Sequence, residues 1–180
     1  ESAPFQELPL VVLGSGANGS NNHIDLLNAL LPLSGRIRVI ALCGKRESAK
    51  SKLHEWSEQN SELSLEALGF QNPEQMAKLY KEAWAMVARP GARTATEAIA
   101  SECVLIFNAF GSTMPQELLA RRYFASRGID IAIQNPNNLV NLLASWLEDP
   151  KDYSRLKEAY KKNRLESNHD EIKKLILGSA

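Results

Sequence analysis

The residues best suited to chemistry follow a short apolar run at positions 85–88. Arg89 comes directly after that run, a Pro-Gly turn follows, and then come Thr94 and Glu97, three residues apart. A carboxylate in this position can accept two hydrogen bonds from the hydroxyl groups of a ribose. A helix that begins here would also direct its free N–H groups at an anion such as a phosphate. The alternative is structural, because Thr94 and Glu97 also fit the capping box that satisfies a helix start.

A second candidate site is the glycine-rich segment after the first apolar run of the chain. Its glycines have the spacing G-x-G-x-x-G, which is typical of loops that hold a dinucleotide phosphate. A dinucleotide site also needs an acidic residue at the end of the second strand, and this chain has Cys-Gly-Lys there. The sequence therefore argues against NAD or a flavin and favours a simpler phosphate loop. The nucleotide-binding candidates in this segment are Gly14, Ser15, Gly16 and Asn18.

Later apolar runs are each followed by a further candidate. Gly44 permits a tight turn after the second run, and the backbone around Phe70 could hold a base after the third. Gln116 and Glu117 begin a helix after the fifth run, where they could bind sugar hydroxyls. For Gln116 and Glu117 the alternative is structural, because acids are favoured at helix N-termini and would stabilise the helix start. Arg89, directly after the fourth run, and Arg93 are the candidate cations for a diphosphate.

Composition and charge argue against several functional classes. Lys+Arg and Asp+Glu are both 21, so a domain that coats nucleic acid is not expected. The three histidines lie far apart without a Cys or acid at ligand spacing, so no metal site is expected. His23 adjoins the glycine loop and could reach a phosphate, but a position on a helix surface is expected instead. Cys43 and Cys103 are expected to be buried thiols. No apolar run reaches the roughly 20 residues that span a bilayer.

The elements that must position these residues are six apolar runs of strand length, separated by helical patterns. Most runs are apolar on successive residues, as expected for strands buried on both faces of a parallel sheet. The expected fold is therefore α/β, a Rossmann-like six-stranded parallel sheet with helices on both faces. Helices alone are expected after the last strand. The predicted strands are 8–13, 37–43, 63–68, 85–88, 104–107 and 129–133, and the final predicted helices are 138–147, 153–165 and 171–177.

Together, the segments that follow the strands resemble the C-terminal nucleotide-sugar domain of two-domain (GT-B) glycosyltransferases. The chain is similar in this respect to monogalactosyldiacylglycerol synthases and to the peptidoglycan N-acetylglucosaminyltransferase that makes lipid II. The resemblance covers most of the chain, from about residue 8 to residue 147. It is carried by the Gly-Ser-rich loop, CGK at 43–45, LGF at 68–70, R-P-G-x-x-T-x-x-E at 89–97 and PQE at 115–117.

The resemblance assigns a role to each part of the fourth strand end. Glu97 would hold the ribose of a uridine diphosphate sugar. The diphosphate would face the helix start formed by Gly91, Ala92, Arg93 and Thr94.

The resemblance also assigns the remaining strand ends. The loop at 14–19 would line the phosphate side, and Phe70 with its neighbours would hold the uracil. Gln116 and Glu117 would face the donor sugar. Members of the family usually carry an Asn a few residues later, where this chain has Leu-Ala-Arg at 119–121. The identity of the donor sugar is therefore left open.

The function that the resemblance implies is donor binding in a UDP-sugar-dependent glycosyltransferase that transfers a hexose to a lipid or other acceptor. Residues 1–180 would form one donor domain, the C-terminal half of a larger enzyme. The acceptor site and the catalytic base would belong to an N-terminal domain or a partner subunit, so the chain alone should be inactive. No cofactor, metal or nucleic acid is expected, and the location would be cytoplasmic, peripheral to a membrane through the missing half. The alternatives are a UDP-N-acetylglucosamine 2-epimerase-like enzyme and a non-catalytic nucleotide-binding module.

Overall fold

Six parallel strands form the centre of the fold. The structure is a computed structural model that describes residues 8–14, 22–89, 91–110 and 114–163, with only the backbone described at Gln116. Each strand overlaps one of the six predicted runs, so the predicted α/β class is confirmed. The strands are β1 (Leu10–Leu13), β2 (Arg38–Leu42), β3 (Ser64–Leu68), β4 (Ala85–Ala88), β5 (Val104–Asn108) and β6 (Ile131–Ile133).

The strands lie in the order β3-β2-β1-β4-β5-β6. All neighbouring pairs are parallel, so the carboxyl ends of all six strands meet at one edge of the sheet. Leu13, at the end of β1, pairs with Ala41 of β2 on one side and with Val87 of β4 on the other. The order of the strands reverses beside β1, which opens a crevice between β1 and β4 at the carboxyl edge. Ligands of doubly wound sheets bind in such a crevice.

Helices connect the strands and cover both faces of the sheet. Contacts between α1 and α6 place them together, while α4 contacts both α3 and α5. Prolines begin α3, α5 and α6, where the missing N–H of proline has no helical partner to lose. The predicted helix 171–177 lies outside the described residues. The helices are α1 (His23–Leu30), α2 (Glu47–Gln59), α3 (Pro73–Glu82), α4 (Ala92–Ala100), α5 (Pro115–Ala125), α6 (Pro136–Glu148) and α7 (Lys151–Lys162), with a 3-10 turn at Leu31–Leu33.

The central strands β1 and β4 are buried along their whole length, which explains their unbroken apolar sequences. The edge strand β3 is partly exposed and carries a Ser and a Glu. Cys43 and Cys103 are buried free thiols, as predicted.

The last two helices pack towards the amino edge of the sheet. Trp84, just before β4, contacts Trp146 of α6 and Tyr153 of α7, with ring centroids 5.5 Å and 5.1 Å away. The Tyr153 hydroxyl donates to the Trp84 carbonyl at 2.8 Å. The fully buried Tyr160 accepts a hydrogen bond from the Leu105 N–H of β5 at 2.9 Å. With α7 bound at this edge, the carboxyl edge is left for the ligand.

Candidate nucleotide-binding site

Gly14 lies at the crevice between β1 and β4. Its N–H donates to the Val87 carbonyl at 2.7 Å, so the backbone after β1 stays against β4. A Cβ at this position would lie 3.0 Å from the Ala88 Cβ and 3.2 Å from the Val87 oxygen. Such distances are tighter than usual for a Cβ, so an added side chain would require its neighbours to shift by a few tenths of an ångström, and the close approach of the two segments favours glycine. Three other candidates of the phosphate loop, Ser15, Gly16 and Asn18, lie outside the described residues.

The start of α4 presents backbone N–H groups without a side-chain cap. Gly91 is the N-cap residue and has extended backbone, and no described side chain caps the helix. The N–H groups of Ala92, Arg93 and Thr94 have no intrahelical acceptor, because they belong to the first turn. The capping-box alternative is wrong, since Thr94 lies inside the helix and is not its N-cap. This helix start therefore has donors to offer to an anion.

Glu97 lies one turn into α4, beside Thr94, as the spacing predicted. Its carboxylate accepts a hydrogen bond from the Arg93 Nε at 2.8 Å, and the hydrogen bond with Glu97 is the main cause that raises the pKa of Arg93. The Tyr80 hydroxyl of α3 interacts with both Glu97 and Thr94. Burial raises the pKa of Tyr80, and the nearby Glu97 carboxylate raises it further, so the phenol is neutral and donates. The carboxylate is thus held from two sides while about 35% of the side chain stays exposed.

Tyr80 is a site residue that sequence reasoning missed. Its position in the pattern Met76-Leu79-Tyr80-Ala83 marked it only as part of a core-facing helix stripe. The ring is indeed buried, with 3% of its surface exposed. Only its hydroxyl reaches the site, and periodicity carries no information about one polar atom at the end of a buried ring.

Arg89 and Glu117 form a bidentate ion pair between the end of β4 and the start of α5. The Arg89 Nε donates to Glu117 Oε1 at 3.0 Å, and Nη2 donates to Oε2 at 2.7 Å. The sequence predicted separate roles, diphosphate binding for Arg89 and sugar binding for Glu117, and both roles stay predictions. The pairing itself was not predicted. The side chain of Gln116, the other sugar candidate, lies outside the described residues.

The ends of β2 and β3 form the other side of the edge. Cys43 donates its N–H to the Leu68 carbonyl at 2.7 Å, which keeps these two ends adjacent. Gly44 has φ +59°, a left-handed conformation that favours glycine and allows the turn. Phe70 is 63% exposed, and the Lys45 Nζ lies 5.4 Å from the centre of its ring. An exposed aromatic ring beside a cation is a suitable surface for a planar base.

His23 corrects a further prediction, because it is buried and not on a helix surface. It is the first residue of α1, and its Nε2 lies 2.9 Å from the Leu42 carbonyl. Because a carbonyl only accepts, this nitrogen carries the proton. Burial lowers the pKa of His23, so the ring is neutral near pH 7. The histidine therefore fastens the start of α1 to the end of β2.

A cavity of about 300 Å³ lies between α4 and α5. Its walls include Ala92, Ile99, Tyr123 and Phe124, and they are mainly apolar. The Thr96 hydroxyl, which also lines it, already donates to the Ala92 carbonyl at 2.9 Å. The cavity offers few partners for a phosphate, so the edge of the sheet is the better nucleotide site.

The strand order determines the order in which the candidate residues lie along the carboxyl edge of the sheet. Phe70 follows β3, Gly44 follows β2, Gly14 follows β1, Gly91 follows β4 and Glu117 comes after β5. Neighbouring strands are about 4.8 Å apart, so the row is roughly 19 Å long. An extended ligand is needed to reach from one end to the other. Within the part of the chain that the structure describes, no three His, Cys, Asp or Glu side chains form a metal-binding group.

Comparisons with known proteins agree with the features of this edge. The family model for Glycosyl transferases group 1 matches residues 5–163. A processive diacylglycerol beta-glucosyltransferase of Bacillus cytotoxicus is 27% identical over 154 residues, which cover 86% of this chain and 38% of that protein. The chain spans less than half the length of the curated relatives it matches. None of the helices within the described ranges is long and apolar enough to cross a membrane.

Solved structures show the same fold. MurG of Acinetobacter baumannii superposes with a TM-score of 0.73 at 20% identity, over 98% of this chain and 51% of MurG. The UDP-GlcNAc 2-epimerase of Neisseria meningitidis, solved with UDP-GlcNAc bound, gives 0.71 at 9% identity, over 97% of this chain and 45% of the epimerase. Identities this low establish the shared fold alone. The epimerase alternative gains less support than the glycosyltransferase interpretation, which the family model and the sequence relatives also favour.

Proposed function

Because the chain belongs to the Glycosyl transferases group 1 family, we propose that it is the donor-binding half of a UDP-sugar-dependent glycosyltransferase. The whole enzyme would transfer a hexose to a lipid acceptor. The catalytic base and the acceptor site would lie in a second α/β domain or subunit. The chain's coverage of less than half of its relatives supports this division.

The observation that carries the proposal is the pair of helix starts beside the crevice. The first turns of α1, after β1, and of α4, after β4, have no side-chain cap among the described residues. These two helices follow the two strands that border the crevice. N–H groups from two helix starts can neutralise a diphosphate better than those from one, because each helix places partial positive charge at its N-terminus. Gly14 keeps the ends of these two strands close together between the helix starts.

The proposed mechanism uses electrostatic stabilisation by this half of the enzyme. When the bond between the sugar and the diphosphate breaks, negative charge develops on the departing UDP. The N–H groups of Ala92, Arg93 and Thr94 are already in place and therefore stabilise that charge without rearrangement. Glu97 accepts hydrogen bonds from the ribose hydroxyls, and this holds the diphosphate in register with the helix start. No step assigned to this half requires a metal or an organic cofactor.

The proposed donor is UDP-glucose, because the relatives from Bacillus are processive diacylglycerol beta-glucosyltransferases. Phe70 would face the uracil, and the segment around the start of α5 would face the hexose. The proposed location is the cytoplasm, at a membrane surface that supplies the acceptor lipid.

Calorimetric titration of the chain with UDP, ADP and NAD tests the proposal. We expect UDP to bind more tightly than the other two, and we expect no glucose transfer to diacylglycerol vesicles from this chain alone. Addition of the missing half should produce transfer. Preferential binding of NAD, or robust transfer by the chain alone, would contradict the proposal. UDP binding without transfer after the missing half is added would favour the non-catalytic module.

A further inference from the structure

The Arg89–Glu117 pair joins more of the molecule than two side chains. Besides the two bonds to the carboxylate, the Arg89 Nη1 donates to the Phe110 carbonyl at 2.9 Å and to the Asn108 carbonyl at 3.4 Å. The Glu117 Oε2 also accepts the Met114 N–H at 2.9 Å. The pair therefore links the end of β4, the end of β5 with the segment after it, and the start of α5.

The pair is well shielded from water. The Arg89 side chain is 26% exposed and that of Glu117 is 10% exposed. Two parallel N–H···O bonds in such an environment fix direction as well as distance, because the guanidinium fork matches the carboxylate. Both oxygens of Glu117 are already used as acceptors. These contacts favour a role in which Glu117 holds the neighbouring backbone, and they disfavour one in which it binds sugar hydroxyls directly.

From this arrangement we infer that Arg89 and Glu117 are a positioning pair for the donor sugar. The pair fixes the start of α5, where the sugar is bound, relative to the start of α4, where the diphosphate is bound. The inference rests on the proposed function. In this inference, Arg89 does not bind the diphosphate and Glu117 does not bind the sugar directly. The two residues act together by holding the start of α5 in place. Loss of the pair should therefore weaken the binding of UDP-glucose more than that of UDP. The sugar needs the start of α5 in its correct position, whereas UDP binds at the start of α4.

The same helix provides a matched control. Arg121 of α5 forms a bidentate pair with Asp130, with Nε–Oδ1 at 3.1 Å and Nη2–Oδ2 at 2.6 Å. These side chains are 30% and 18% exposed, close to the values of the first pair. Asp130 directly precedes β6, so this pair lies towards the amino end of the sheet. Loss of either pair should affect stability, but only the Arg89–Glu117 pair adjoins the crevice.

The test is a double-mutant cycle with the variants R89K, E117Q and their combination, and with R121K, D130N and their combination as the control. Lysine keeps the charge of Arg89 but loses the fork. UDP and UDP-glucose are titrated into each variant, and thermal unfolding is followed on the same samples. In the first cycle, we expect UDP-glucose affinity to fall about tenfold while UDP affinity changes less than about threefold. The double variant should be no worse than the single variants, because both remove the same constraint. The control cycle should leave both affinities unchanged.

Each other outcome has a distinct meaning. Equal losses for UDP and UDP-glucose, unchanged affinity for both, or additive losses in the double variant would overturn the positioning role. Failure of the wild-type chain to bind UDP would instead overturn the proposed function, and the inference with it. If a single variant does not fold, the milder variant E117D provides the decision, because it keeps the charge but draws the carboxylate back from the guanidinium fork. A selective loss of UDP-glucose affinity in E117D supports the inference, and unchanged affinity for both ligands overturns it.

Discussion

At the scale of single residues, mutation can separate a ribose-binding role of Glu97 from a purely structural one. Loss of a charged acceptor for a ribose should weaken UDP binding by roughly 1.5–3 kcal/mol in the variant E97A. The melting temperature should fall only modestly, because Arg93 is an exposed partner and the buried Tyr80 hydroxyl keeps its contact with Thr94 when Glu97 is lost. Calorimetry and thermal unfolding on one sample measure both quantities.

The variant E82A is the matched control for E97A. Glu82 also pairs with a basic residue four positions away, Lys78 of α3, at 3.8 Å. It should leave UDP binding intact. A lowered melting temperature with unchanged UDP affinity in E97A would return Glu97 to a purely structural role.

His23 makes a residue-scale prediction about pH. Burial lowers its folded-state pKa below the ordinary value of 6.5, so the fold favours the neutral ring. Its contribution to stability is therefore complete above about pH 6.5 and is lost as the pH falls below that value. In the variant H23Q the amide can still donate to the Leu42 carbonyl but does not titrate. Between about pH 7 and pH 5, the free energy of unfolding should fall more steeply for the wild type than for H23Q. Urea unfolding at several pH values measures the slopes. Parallel curves for the wild type and H23Q would show that the buried ring does not titrate in this range.

At the scale of elements, the contact between the end of β1 and the end of β4 can be tested through Gly14. An alanine there would place its Cβ 3.0 Å from the Ala88 Cβ, so G14A should destabilise the fold by about 1–3 kcal/mol. The second change A88G should restore part of the loss, because it removes one of the two close contacts. The variant G69A is the control, since a Cβ at Gly69 would meet only the Gly44 oxygen at an ordinary 3.7 Å. Denaturant unfolding gives the three free energies of unfolding, and a fully stable G14A protein would show that the end of β4 can shift enough to admit the added methyl group.

Most of the strands could be predicted from the amino-acid sequence, as could the presence of helices between them, because both kinds of element produce periodic patterns of apolar residues. The run at 85–88 coincides with β4, and each of the other five strands overlaps a predicted run. Near the candidate site, the sequence also predicted the tight turn at Gly44 and the adjacency of Thr94 and Glu97 on one helix, because local backbone geometry decides both. The Arg89–Glu117 pair was not predicted, since it joins residues 28 positions apart and depends on the order of β4 and β5 in the sheet.

At the scale of the whole molecule, α7 should contribute to global stability without contributing to ligand binding. The variant Y160F leaves the buried Leu105 N–H without its acceptor, so it should lower the free energy of unfolding by about 1–3 kcal/mol. Y153F is the comparison, because the Tyr153 hydroxyl is only partly buried and its loss should matter less. UDP affinity should be the same in both variants and the wild type. Unchanged unfolding of Y160F would show that α7 is not part of the cooperative unit.

The aromatic cluster at the amino edge has a spectroscopic consequence. All three tryptophans of the chain lie in the described residues: Trp84 and Trp146 contact each other, and Trp56 is buried on α2, where its indole N–H donates to Asn28. None of them belongs to the carboxyl edge where the nucleotide is proposed to bind. Intrinsic fluorescence should therefore follow the exposure of the indole rings during unfolding, while its emission maximum stays constant when UDP is added. One optical signal can then report stability with and without the nucleotide, free of interference from quenching at the site.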